Sequence, residues 1–402
     1  MAAPVCLNNH INHSTNQNIM KKITIFLLFS VFTLALVGCG SSSDKAGEAD
    51  LFPFGDINDK TGYVNLNGKV AIEPQFDFAY MFRDGIALVS VVQDDGKSLF
   101  GYVKGNGDYL LKPQYVAATQ FNEGLAWVVE DGGYPKAIDT KGNVQLEAKD
   151  VLRVCCFSEG LAAAWLSGDL YNPQWGFIDK KGNVVVEPVY REVAWFSDGL
   201  AAVKADNRWG FIDAKGNMVI PEKFSHVKSF QNGLAVVSGP SSALWGAIDK
   251  AGKTVIPFEY NEMEADGDLF LVKKGDKTGW IDKSGNWVID APGCMALPFA
   301  GAELAAVKNE DCYWGYINKK GEVVVDFQYV QACPFSNGKA IVSEDDIWMS
   351  IIDEKGKKVS VKSSMLYSYG GRRYPQNEVV ESLVSAYPSV QNMVHTHCEN
   401  VK

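Results

Sequence analysis

The chain has 402 residues, of which 47% are hydrophobic and 12% aromatic, enough apolar material for a substantial core. Its formal net charge of −10 argues against nucleic acid as a partner and against electrostatic docking on anionic lipid. Of five histidines only His226 lies away from the two ends, which argues against a His-dependent triad or a multi-His metal site in the body of the chain.

Residues 1–19 are polar, rich in Asn and without structural period, and Met20 is expected to be the true start, with 1–19 an upstream extension. Residues 20–38 then read as a signal peptide, with Lys21 and Lys22 as the positive region and Ile23 to Leu36 as an apolar run too short for a membrane span of about 20 residues. Leu36-Val37-Gly38-Cys39 resembles the bacterial lipobox. That resemblance implies lipidation of Cys39 and cleavage before it, with residues 39–50 as a flexible tether. The implied location is the bacterial cell envelope, on the outer membrane if the cell is Gram-negative, since Gly40 rather than Asp follows the cysteine.

Residues 51–362 are dominated by one repeated unit, clearest in Phe196 to Phe224. Leu200 to Lys204 is a short apolar strand. Trp209-Gly-Phe-Ile-Asp213 is a second, with large residues alternating with small or polar ones. Ala214-Lys-Gly-Asn217 supplies turn chemistry, and Met218 to Ile220 runs back until Pro221, which is expected to end it. The turn glycine returns at Gly68, Gly107, Gly142, Gly182, Gly216, Gly252, Gly285, Gly321 and Gly356, a period of about 36 residues. A second landmark keeps the same phase: Phe82 to Gly85, Phe121 to Gly124, Phe157 to Gly160, Phe196 to Gly199, Phe230 to Gly233 and Phe335 to Gly338. Short strands and Gly-rich turns at this period predict an all-β array of about nine antiparallel meanders, with no helical period inside it.

Four units carry a Trp-Gly pair, at Trp175-Gly176, Trp209-Gly210, Trp245-Gly246 and Trp314-Gly315. Gly62, Gly101 and Gly279 keep only the glycine, and Lys136-Ala137 and Met349-Ser350 keep neither residue. Together with the Phe-x-Asp-Gly landmark, this pattern resembles the WG-repeat family of bacterial proteins. The resemblance implies a β-rich repeat domain, often exported, and transfers no catalytic residue.

Four short strands per unit suit a propeller blade, but nine units exceed the usual four to eight, which favours an open superhelical array over a closed, propeller-like one. Worn first and last units fit caps on such an array. The connection before each Trp-Gly strand varies most in length, and insertions at one phase map to one face, often the binding face. Asp94, Asp95, Asp169, Tyr171, Asn309, Glu310, Asp311, Asp345 and Asp346 fall there and can hold a cation or a sugar, although hairpin loops are polar in any case. The in-phase Trp175, Trp209, Trp245 and Trp314 read as core between units, which leaves Trp127, Trp165, Trp195, Trp287 and Trp348 as the better candidates for an exposed glycan site. Asp139, Asp179, Asp213, Asp249, Asp282 and Asp353 stand one per unit before the turn, as turn formers rather than catalytic acids.

Residues 363–402 form the tail. Apolar residues at 379, 380, 383, 384 and 387 predict a short helix capped by Asn377, expected to cover the last unit. His395, His397 and Cys398 have metal-ligand chemistry but no fourth partner nearby, and no metal or cofactor is assigned. Among Cys155, Cys156, Cys294, Cys312, Cys333 and Cys398, the loop residues Cys294 and Cys333 can pair or remain thiols, while adjacent Cys155 and Cys156 are poor partners. The sequence thus predicts an envelope-anchored binding or scaffolding protein, not an enzyme, whose loop face meets a protein or glycan. The alternatives are a carboxylate-dependent envelope hydrolase and a purely structural envelope protein.

Overall fold

The computed structural model describes residues 51–359 apart from 56–59, 66–67, 170–171, 240–241, 294 and 346–348. All of them belong to one compact unit, Gly40–Lys402. The expected signal peptide, lipidated Cys39, tether and tail helix, and the His395–Cys398 group, lie outside the described residues.

Every named element is a β-strand, and the strands form nine antiparallel sheets that follow one another in sequence. We term them blades 1 to 9. Blade 1 runs from Leu51 to Phe76, blade 2 from Phe78 to Tyr115, blade 3 from Ala117 to Glu147 and blade 4 from Arg153 to Tyr190. Blades 5 to 9 run from Glu192 to Phe224, Leu234 to Tyr260, Glu262 to Asp290, Met295 to Tyr329 and Gln331 to Asp353. A complete blade has four strands in sequence order, as in blade 5 with Glu192–Val193, Leu200–Lys204, Trp209–Asp213 and Met218–Phe224.

The array closes. Phe54 and Val64 of blade 1 pack with Ile351 of blade 9 in one buried cluster, with Val70, Ile341 and Val359 around it. The favoured open array is therefore replaced by a propeller ring, and the worn first and last units are joined surfaces rather than caps. Closure removes the exposed apolar faces that two free ends would leave.

The fourth strand also differs from expectation. It does not end at Pro221 but continues to Phe224. Opposite Gly210 its register jumps, so that Trp209 faces Phe224 while Phe211 faces Ile220. This bulge carries backbone over the glycine: a Cβ on Gly210 would lie 2.6 Å from the Ile220 carbonyl oxygen. Gly62, Gly101, Gly176, Gly246 and Gly315 meet the same constraint. Proline is tolerated at the bulge because an outer edge strand needs no N–H there. It is not the cause, since blade 8 bulges identically with Asp326 in that place. Where Ala137 replaces the glycine, the outer strand shrinks to Val144–Glu147 and the double shift is lost.

Successive blades are joined by a ladder of rings. The residue after each Trp-Gly pair, or its equivalent, meets the landmark Phe of the next blade, with ring centroids 4.7 to 5.0 Å apart. Tyr63, Tyr102 and Tyr316 also donate their hydroxyls to carbonyls of the next first strand, those of Tyr80, Thr119 and Cys333. Two joints deviate. Blade 3 has Ile138 at the ring position, and Trp127 from its second strand stacks on Phe157 instead, at 5.5 Å. Blade 6 has Ala247 there, and blade 7 lacks the landmark Phe and buries Met263. Ring and partner are lost together, so the packing survives.

Candidate binding face

Alternating strand directions sort the connections by end. Turns joining first to second and third to fourth strands share one end of the ring, and loops joining second to third strands share the other with the blade-to-blade links.

The turn end is regular. Between first and second strands, residues such as Asp84, Glu123, Glu159, Asp198 and Asn232 adopt positive φ before a positive-φ glycine, which makes tight two-residue hairpins. These turns grip each other: the carboxylates of Glu123, Glu159 and Asp198 accept from the N–H of Gly160, Gly199 and Gly233 on the next blade. Direct contact of this kind places the first strands innermost, whereas the fourth strands expose residues such as Val184, Val185 and Val219 at the rim. Between third and fourth strands, Asp213 Oδ1 accepts from the N–H of Lys215 and of Asn217, each at 2.9 Å, and Oδ2 accepts from Asn217 Nδ2. The Asn side chains that donate to Asp179, Asp213 and Asp282 hold these carboxyls below their usual range, assisted by backbone N–H donors. The turn glycines are needed because each abuts the neighbouring blade: a Cβ on Gly216 would touch Val186, and one on Gly252 would crowd Ile220.

The opposite end is irregular. The blade 2 loop turns through Gln93 to Lys97, with Asp95 Oδ1 accepting from the Lys97 N–H. Beside it lies a groove of about 300 Å³ lined by Gln93, Asp95, Lys97, Leu99, Gln114, Val116 and Asp131, and Lys97 reaches Asp131 across it at 3.4 Å. Both partners are well exposed, so the pair contributes at most about 1 kcal/mol and leaves the groove free to open. Blade 4 sends out the longest hairpin, where the second and third strands stay paired as far as Asp169 and Asn172. In blade 8, Asn309 closes its own loop by accepting from the Tyr313 N–H, and Cys312 takes φ 67°. Tyr134 is 55% exposed in the blade 3 loop and Tyr313 45% exposed in that of blade 8. Exposed Tyr among Gly, Ser, Asn and Asp gives large contact area at low entropy cost beside adaptable hydrogen bonds, the chemistry of antibody-type contact surfaces.

Asp94, Asp95, Asp169, Asn309, Glu310, Asp311 and Asp345 all stand at this end, while Tyr171 and Asp346 lie outside the described residues. They share a face but do not converge: among the described residues, no three His, Cys, Asp or Glu side chains are placed to hold a metal ion. Of the in-phase tryptophans, Trp175, Trp209 and Trp314 are buried and Trp245 is half-buried beneath Lys228. Gly176, Gly210, Gly246 and Gly315 all sit under the outer-strand bulge. Of the off-phase ones, Trp127 and Trp165 are buried rather than exposed, Trp287 is half-buried under Lys277, Trp195 is exposed and Trp348 lies outside the described residues. Cys333 is a free cysteine, and Cys294 lies outside the described residues. Sequence reasoning missed Phe299, which does the landmark residue's work before Ala300-Gly301 in place of Asp-Gly.

The family model described as WG containing repeat matches residues 62–97, 100–134, 175–209, 209–238, 245–277 and 314–348, just over half of the chain. No curated protein matches by sequence. Among solved structures, the chain is similar to a eukaryotic initiation factor at 15% identity and TM-score 0.47, covering 79% of this chain and 85% of that one. It is also similar to BamB from Moraxella catarrhalis, at 13% identity and TM-score 0.40 over 69% and 91% of the two chains. A third is the computationally designed Ika8 protein, at 11% and 0.41 over 72% and 95%. Likenesses at this level carry no functional argument.

Proposed function

Since the chain belongs to the WG-containing repeat family, we propose that it is a non-catalytic binding or scaffolding module of the bacterial cell envelope. Lipid on Cys39 anchors it, on the outer membrane in a Gram-negative cell, and residues 39–50 tether the ring. The ring engages a protein or glycan through the end that carries the second-to-third-strand loops. The observation that supports this most is the contrast between the two ends: one is built from near-identical turns locked to each other, the other from loops of differing length and composition with exposed Tyr134 and Tyr313. Variation tolerated at one phase only is what a recognition surface on a fixed frame requires. The recurring aspartates support the non-catalytic reading, because their oxygens are occupied by turn N–H groups.

The test is a glycan and envelope-protein binding screen with the full chain, beside a variant whose Ser167 to Gln174 hairpin is cut to a two-residue turn. A ligand captured by the parent and lost or weakened at least about tenfold in the variant supports the loop face. A ligand bound equally by both, and by Tyr134→Ala and Tyr313→Ala, removes it.

A further inference from the structure

The chain enters the ring at a definite end. Among the described residues blade 1 begins one strand later than its neighbours: Leu51–Gly55 pairs with Thr61–Asn65 as Leu200–Lys204 pairs with Trp209–Asp213. Leu51 stands opposite Asn65, whose carbonyl accepts from the Gly68 N–H to close a turn between third and fourth strands. The entry point is therefore at the turn end. Eleven residues, Gly40 to Asp50, separate it from Cys39. As a flexible coil they span about 18 Å, and fully extended about 40 Å. To bring the loop end to an anchor on Cys39, the tether would run about 10 Å out across the two outer strands of blade 1. It would then run about 23 Å along Val70–Phe76, before side chains are counted. That uses most of the extended reach and the conformational freedom that goes with it. The turn end asks for neither.

Charge is divided the same way. Each of the nine turns between third and fourth strands carries a lysine, among them the exposed Lys141, Lys215 and Lys250. The basic side chains of the turn end offset its acids, so the acidic excess behind the net charge of −10 falls on the rest of the ring. Turn-end carboxylates are also tied down, Asp213 by its own turn and Glu159 and Asp198 by the next blade.

We propose that the turn end rests on the phosphate surface of an anionic phospholipid leaflet and that the loop end is held away from the bilayer. This orientation rests on lipidation of Cys39. An anionic leaflet attracts the turn lysines within about a Debye length, some 10 Å at moderate salt, and repels the acidic remainder of the ring. The net charge that disfavours lipid docking of the whole chain thus selects one end for it. A partner of the loop end is then met from the aqueous side, with the membrane behind the ring.

Lysine footprinting tests this. The full chain purified from membranes is placed in vesicles of phosphatidylethanolamine and phosphatidylglycerol, and in neutral detergent as the reference. Both are treated with a membrane-impermeant amine-acylating reagent, and peptide mass spectrometry reads each lysine and the state of Cys39. On vesicles Lys141, Lys215 and Lys250 should react at least about threefold more slowly than in detergent. Lys97, Lys274 and Lys277 at the loop end, and Lys112 and Lys223 on the rim, should keep their rates. With lipid on Cys39, equal reactivity at both ends overturns the orientation alone, as does slowing of the loop-end or rim lysines. Cys39 without lipid overturns the anchor, and the orientation with it.

Discussion

At the joint between blades 7 and 8, the buried Asp266 carboxylate accepts from Trp280 Nε1 at 2.7 Å, from the Phe299 N–H at 2.7 Å and from the Ala300 N–H at 2.9 Å. Three other joints place a neutral donor at this position, Asn122, Ser158 and Ser197, each donating to the landmark Phe carbonyl of the next blade. Burial raises the pKa of Asp266, and its three donors oppose that rise. Asp266→Ala leaves three donors without an acceptor. It should cost roughly 3 kcal/mol or more, read from denaturant unfolding. One residue along, Ala300 holds φ 52° in a turn where other blades use Asp, Glu or Asn. Ala300→Asn should stabilise by about 1 kcal/mol on the same measurement, because the left-handed region penalises alanine. The turn aspartates set the acid response. Asp179, Asp213 and Asp282 have lowered pKa values, so their contribution is complete above the unfolded carboxylate range near about 4 and is lost as pH falls through their folded values. Asp266, with a raised pKa, has the opposite sign: its contribution is complete below the unfolded value and fades as pH rises through the folded one. The turn carboxylates prevail by number, so the melting temperature should fall between about pH 5 and pH 3, and Asp213→Asn should make that fall shallower. A flat profile would show that these bonds do not set the folded carboxyl groups apart from the unfolded ones. The turn role of these aspartates was legible because each stands two residues before a Lys, Ala or Ser N–H in a Gly turn. Asp266 was not, since nothing in Glu264-Ala-Asp-Gly267 announces a buried acceptor.

Among the elements, the third strand and its outer neighbour form the unit on which each blade depends. The glycine of the Trp-Gly pair admits the bulge, and the bulge returns the outer strand so that Phe224 pairs with Trp209. Gly210→Ala drives a Cβ into the Ile220 carbonyl and to 2.8 Å from the Glu222 nitrogen, both fixed backbone atoms. A loss of roughly 2–4 kcal/mol in unfolding free energy is expected, whereas Pro221→Ala should cost under about 1 kcal/mol, because blade 8 bulges without proline. Equal effects would return the role to the proline. The strands and turns themselves were legible from the glycine period, since only Gly fits where a turn abuts the next blade. Misreadings arose where a blade solves a shared problem with another residue. Trp127 looked spare because it stands off phase, yet it supplies the ring that Ile138 lacks. Phe299 escaped notice because Ala300 stands where the pattern wants an acid.

For the whole molecule, ring closure decides what the surface can do. It rests on Phe54, Val64 and Ile351, ordinary strand positions of the first and last units that carry no mark of meeting each other, and a repeat count alone pointed the other way. Once closed, the ring has an end of interlocked turns, an end of free loops and a rim of outer strands. The loop end was legible as a phase of variable length, but not as a ligand, because its Asp residues are spread over separate blades rather than gathered at one point. Hydrogen exchange on the full chain with a captured envelope partner addresses that end directly. The account predicts slowed exchange in residues 93–98, 130–135 and 309–313, with the turns at 139–143, 213–217 and 282–286 unchanged. Protection confined to those turns, with the loops exchanging as in the unbound chain, would contradict it.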